Sequence, residues 1–189
     1  LQDAILIESD LALAKLKNAD LIRANFTGAN LFRVDLKNLD LTEVNLSGVD
    51  LSNKNLNGII LSRANLSGVN FTKANLQDAI LIESDLTMAK LKYADLRGAN
   101  LTRANLTGVN LFRVDLRGAN LTGIYLLGSN LTKANFSEAN LSGVDIRNMD
   151  LTAVNLSGVD LSNQDLTGTI LYLANLSEVN LSGVDLSNK

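Results

Sequence analysis

Residues 94–103 read Ala-Asp-Leu-Arg-Gly-Ala-Asn-Leu-Thr-Arg, two five-residue units in one register with Leu96 and Leu101 at their centres. Extended in both directions, that register places Leu, Phe or Ile at residue 1 and at every fifth residue to Leu186, 38 positions without an insertion or deletion. Only Phe26, Phe71, Phe136 and Ile146 depart from Leu. This period is neither the roughly 3.6 residues of a helix nor the roughly 2 residues of a strand, so the fold has to be built from the unit itself.

The residue two before each centre is mostly small or β-branched, as at Ala24, Ala29, Val34, Val44 and Val49. Two inward positions separated by one outward residue make a short extended segment. From a centre to the next small residue is three steps, which breaks the alternation and forces a bend. All 13 glycines stand at the second position after a centre, where a tight turn needs backbone freedom. A chain that extends and bends without reversing winds into a parallel β-helix. Outward residues 20 apart set the coil length: Asp3, Arg23, Glu43, Arg63, Glu83 and Arg103 alternate in sign, and opposite charges on adjacent strands attract. Other columns at that spacing hold like charges, such as Lys17 above Lys37 and Asp20 above Asp40. The expectation is an all-β, four-sided solenoid of four pentads per coil, a single domain over 1–189 with about nine and a half coils. Asn or Asp precedes the centre in 30 of 37 units, which reads as scaffolding because these side chains bond local backbone at bends. Lys54 and Gln164 occupy inward positions, where a bulge or a side chain reaching along the coil is expected.

Pentads such as Ala64-Asn65-Leu66-Ser67-Gly68 and Ala94-Asp95-Leu96-Arg97-Gly98 resemble the A-(D/N)-L-x-x unit of the pentapeptide-repeat proteins, and the resemblance covers the whole chain. It implies a right-handed, four-sided β-helix about as wide as a DNA duplex. It implies much less about activity, because one fold carries many roles.

Composition removes most chemistry. The chain has no Cys, His, Pro or Trp, which excludes disulfides, thiols and imidazole bases or ligands. Hydroxyls concentrate directly after the centres as part of the repeat, and no glycine-rich phosphate loop followed by a helix fits this register. No catalytic, cofactor-binding or metal-ligating set is assigned. Asp145, Asp165 and Asp185 form a column at coil spacing that a cation would suit, though turn residues bonded to backbone are the plainer reading. Asn-x-Ser/Thr triplets such as Asn25-Phe26-Thr27 arise automatically from the repeat. Nothing in the chain reads as a signal peptide or membrane span, so it is expected to be soluble, with the cytoplasm as default compartment. It starts without Met and stops in mid-pentad, as an excerpt of a longer array would.

Outward apolar residues are the main departures from the repeat. Ile60, Ile80 and Ile82 are expected to form one exposed cluster, while Tyr125 and Leu127, then Ile170 and Tyr172, replace the usual Asn/Asp and Ser/Thr around their centres. Phe32 and Phe112 read as isolated aromatics. These seven apolar positions are the candidate surface for a protein partner, with end-to-end stacking of exposed strand edges as a second route to association.

The best-known members of the resembling family mimic DNA and bind DNA gyrase. Duplex DNA carries one charge per roughly 1.7 Å, whereas this chain holds 20 acidic and 17 basic residues. Residues 136–189 hold 7 and 2, so only the C-terminal coils, with Asp145, Asp165 and Asp185, approach that density. Direct nucleic-acid binding is not expected: Arg33, Lys73, Arg113 and Lys133 share a column, but acidic neighbours are expected to offset them. An ice-binding array is disfavoured by Ile22, Ile82, Lys92 and Arg147, which interrupt the Ser/Thr columns. A non-enzymatic scaffold or protein-interaction module is the leading expectation, and a gyrase-modulating DNA mimic the alternative.

The array also records duplication. Residues 1–11 recur at 76–86, 41–70 resemble 151–180, and Leu46–Lys54 equals Leu181–Lys189, at offsets of 75, 110 and 135. None is a whole number of 20-residue coils, so the copies land on different faces.

Overall fold

The structure is a computed structural model that describes residues 1–187. The chain winds as a right-handed, four-sided parallel β-helix. Each coil takes 20 residues, so that Asn25 bridges Asn45, Asn65 bridges Asp85 and Asn105 bridges Tyr125. Every side of a coil is one pentad. The centre's carbonyl accepts from the N–H three residues on, as in Ala104 N to Leu101 O at 2.8 Å, closing a turn over the two residues between. Of the remaining residues one points inward and one is placed to bridge, so each side contributes at most one bridging residue and no longer strand forms among the described residues. Bonds between coils are regular: Leu66 N donates to Asp85 O at 2.7 Å, Gly68 N to Thr87 O at 2.9 Å, and Asn65 N back to Val44 O at 2.9 Å.

The second turn residue has positive φ in every described pentad, as a type II turn requires. Glycine fills only part of this demand. The same conformation is imposed on 24 other residues, among them Arg63, Glu83, Met88, Tyr93 and Leu173. None of the 24 is Val, Ile or Thr, the residues whose branched Cβ tolerates this region least. The Asn or Asp before each centre supports the turn from outside: Asn65 Oδ1 accepts from Ser67 N at 3.1 Å and from Ser67 Oγ at 2.7 Å. The hydroxyls that follow the centres are thus commonly committed to local bonds.

Inside, the centres stack in four columns; Leu61, Leu81, Leu101 and Leu121 of one column are wholly buried. Polar residues at the small inward position bond the backbone, as Ser84 Oγ does to Leu81 O at 2.8 Å and Ser129 Oγ to Leu106 O at 2.6 Å. Lys54 does likewise. It is half-buried and extends back one coil, its Nζ donating to Val34 O at 3.1 Å, and burial lowers its pKa.

Two interruptions of the ladder of bridges are related to one another. Among the described residues no bridge joins Lys15 to Asp35, Asp20 to Asp40, Asn30 to Asp50 or Asp35 to Asn55. The same four steps are missing 110 residues later, at Tyr125–Asp145, Asn130–Asp150, Asn140–Asp160 and Asp145–Asp165. The pattern of open steps, a seam, thus recurs at the 110-residue offset of the internal duplication. Each seam holds oversized residues at the small inward position, Leu39 and Lys54 in the first, Met149 and Gln164 in the second. Seven of the eight steps also have Asp on the later coil. Asn in that place donates to its neighbour one coil back, as Asn75 Nδ2 does to Asn55 Oδ1 at 3.3 Å and Asn175 Nδ2 to Asn155 Oδ1 at 3.0 Å. A carboxylate only accepts, and Asp above Asp repels. Asp95 and Asp115 keep their bridge because Arg97 reaches both, at 2.6 and 3.9 Å.

Candidate interaction surfaces

The seams open into clefts. The first, of about 490 Å³, is lined by Asn30, Phe32, Arg33, Asp50, Asn53 and Lys54. The second, of about 620 Å³, lies between residues 124–129 and 145–150 and brings Tyr125 and Leu127 together with Asp145, Arg147 and Met149. Two of the apolar candidates and Asp145, one member of the acidic column, were singled out separately in the sequence and thus line one site. Tyr125 and Leu127 flank the buried Leu126 and are 61% and 81% exposed.

The other apolar candidates lie elsewhere. Ile170 and Tyr172 are exposed on an adjacent side, where Leu173, which the sequence reading passed over, adds a third apolar side chain. Ile60 and Ile80 bridge one another, as the coil spacing implies, but both are half-buried, and so is Ile82. The coils above and below cover them, so the exposed cluster expected from sequence is not formed.

The acidic column is partly neutralised. Arg147 pairs with Asp145 at 2.6 Å, and its side-chain hydrogen bonds, followed by its own backbone N–H, hold the Asp145 carboxyl at about 2. Asp165 is lowered first by the Thr167 hydroxyl, then by the Thr167 backbone N–H. Asp185 accepts from Ser187 N at 2.8 Å. Each carboxylate thus belongs to a turn, and no group of three acidic residues close enough to hold a metal ion occurs among the described residues.

On the side where the sequence showed isolated aromatics and offset cations, the arrangement differs. Phe112 meets Tyr93 of the previous coil edge to face, with ring centroids 6.3 Å apart. Lys92, Arg113 and Lys133 gather over Phe112 at 5.7, 5.4 and 5.9 Å from its centroid. Arg33 sits over Phe32 in the same manner, at 5.2 Å. Six arginines, at 23, 63, 97, 103, 117 and 147, form ion pairs. Among the described residues Arg33, Lys73, Arg113 and Lys133 form none, although the chain as a whole carries a net charge of -3. Tyr93 and Phe112 are 19 residues apart and occupy different places in their pentads, which hid the pair from a column read at 20. The alternating column behaves as expected in three steps, with Arg23–Asp3 at 2.6 Å, Arg63–Glu43 at 3.5 Å and Arg103–Glu83 at 3.7 Å. These pairs are largely exposed, and each contributes little to stability. No helix among the described residues is long and apolar enough to cross a membrane.

Comparison with known proteins follows the same lines. The family model described as pentapeptide repeats matches in 8 copies, over residues 1–32, 9–48, 40–78, 70–108, 79–118, 110–148 and 155–188. The chain is similar to HetL from the cyanobacterium Nostoc, a pentapeptide repeat protein involved in heterocyst differentiation regulation, at 31% identity over 100% of this chain and 87% of that one, with a TM-score of 0.44. It is also similar to a pentapeptide repeat protein from the Arabidopsis thaliana thylakoid lumen, at 40% identity over 51% of this chain and 68% of that one, TM-score 0.43. A third similar structure is QnrB1, a plasmid-mediated fluoroquinolone resistance protein, at 21% identity over 88% of this chain and 91% of that one, TM-score 0.43. Curated protein sequences give no match. With the repeat matched along nearly its whole length and the coil geometry to go with it, the chain belongs to the pentapeptide repeat family.

Proposed function

We propose that this chain is a non-enzymatic, rigid scaffold that binds a protein partner, and that the cleft between residues 124–129 and 145–150 is its principal contact site. The observation that carries this reading is the junction of two departures from the repeat at one place. Exposed Tyr125 and Leu127 stand where Asn or Asp and a hydroxyl residue normally complete the turn, beside an opening of about 620 Å³ edged by Asp145 and Arg147. An apolar rim with a charged pair at its edge suits a partner loop carrying one large apolar side chain. Ile170 and Tyr172, with Leu173, form a lesser surface of exposed apolar side chains.

The test is a photo-crosslinking residue at position 127, with position 72 as control, followed by identification of the adducts in cells. A discrete protein adduct at 127 that disappears in Tyr125→Asn supports the reading; identical adducts at both positions, or none, refute it. The alternative, a DNA-mimicking modulator of DNA gyrase acting through Asp145, Asp165 and Asp185, is disfavoured by Arg147, which pairs with Asp145 and lowers Asp165 as well. A supercoiling assay with these three residues changed to Lys decides it: inhibition by the native chain that the variant loses would restore the mimic.

A further inference from the structure

The cations around Phe112 have no anion of their own. Lys92, Arg113 and Lys133 lie within 5.4 to 5.9 Å of one ring centroid, and among the described residues none of the three is in an ion pair. Lys73, one coil before Tyr93 in the same column, extends the row. A ring face attracts a cation, but three gathered on one ring repel each other, and an incoming anion relieves that repulsion. The complementary charge is on the same chain. Glu138, Asp160 and Glu178 step along three successive coils of the C-terminal part, all exposed and, among the described residues, without an ion pair.

We infer that the chain associates laterally with a second copy of itself, the basic row at Lys73, Lys92, Arg113 and Lys133 docking on the acidic row at Glu138, Asp160 and Glu178. Spacing selects this occupant. Both rows repeat once per coil, at roughly 4.8 Å, so another coil of the same rise keeps charges in register along the whole contact. The two rows lie on different sides and are centred about three coils, or roughly 14 Å, apart along the axis. The contact is therefore heterologous, the pair keeps one free row of each kind, and growth is staggered and open-ended. This inference is independent of the cleft in the proposed partner site.

The experiment is sedimentation velocity on the whole chain at about 20 and 500 mM salt, a range over which charge screening shortens from about 20 to about 4 Å. Low salt should give masses that rise with concentration, returning to the 20.3 kDa monomer at high salt. Two variants complete the test, Arg113→Glu with Lys133→Glu, and Glu138→Lys with Glu178→Lys. Glu and Lys both occupy this turn position elsewhere, at Glu43 and Lys73, so both variants keep the fold. Each variant alone should remain monomeric, and their mixture should assemble again, because the reversed row of each variant complements the reversed row of the other as the native rows complement each other. A native chain monomeric at low salt overturns the inference, as do assemblies that persist at high salt or in either variant, the sign of end-to-end stacking. A monomeric chain that instead binds a labelled single-stranded oligonucleotide through Arg113 and Lys133 overturns it in favour of nucleic acid.

Discussion

Replacing Gly68 and Gly168, one at a time, tests the turn on which every side of the solenoid depends. Both have φ near +67°, at +67° and +68°. At Gly68 a Cβ would meet nothing within 4 Å, so Gly68→Ala isolates the backbone strain. That strain is about 1 to 2 kcal/mol for an L-residue in this region, and part of it is offset by about 0.4 to 1 kcal/mol from the reduced freedom of the unfolded chain. A net loss of about 1 kcal/mol is expected, or about 2 to 4 °C in Tm. Gly68→Val should cost more, because a branched Cβ crowds the same backbone. At Gly168 a Cβ overlaps Asn148 Oδ1 and comes within 3.3 Å of Asn148 Cα. The amide can swing away but the backbone cannot, which adds roughly 1 to 3 kcal/mol of overpacking. Guanidinium denaturation followed by circular dichroism would rank the three variants. Equal costs for Gly68→Ala and Gly168→Ala, or a Val no worse than Ala at 68, would refute the account of the turn.

Leu81, wholly buried in its column, should lose about 2 to 5 kcal/mol as Ala; a loss under about 1 kcal/mol in the same denaturation assay would mean the narrow core closes over the gap. Burial lowers the pKa of Lys54, so between its folded value and 10.5 the unfolded chain binds more protons and stability rises with pH. Comparison with Lys54→Met from pH 8 to pH 11 should show that rise in the native chain alone, and parallel profiles would count against it. Asp145 is held at about 2 against an ordinary 3.8, so its contribution is present above 3.8 and lost as pH falls through about 2. An NMR titration of its carboxyl should move toward 3.8 in Arg147→Ala; an unchanged midpoint would assign the effect to the backbone N–H instead.

The coil was readable because every pentad states the same physics. A large centre, a small inward residue three steps on and an outward column such as Asp3–Arg23–Glu43 left little freedom for any other winding. Glycine at the bend was readable too, but not the 24 other residues forced into the same conformation, since Arg63 or Leu173 gives no local sign of it. The seams were hidden for another reason. Leu39, Lys54 and the stacked Asp20 and Asp40 are each modest departures, and only together do they part adjacent coils. At the candidate sites, Tyr125 and Leu127 were visible as misplaced apolar residues, whereas their meeting with Asp145 across a seam was not. The Tyr93–Phe112 pair depends on side-chain reach between unlike pentad positions, which column spacing does not encode.

The two seams are mechanically opposed. The first stays zipped at Asn25–Asn45 and the second at Asn135–Asn155, with Phe26 N to Asn45 O and Phe136 N to Asn155 O both at 2.7 Å. Those attachments are 110 residues apart, five and a half coils, and so fall on opposite walls of the rod. Each leaves adjacent coils attached along one wall only, so the two openings face opposite ways along an otherwise stiff shaft.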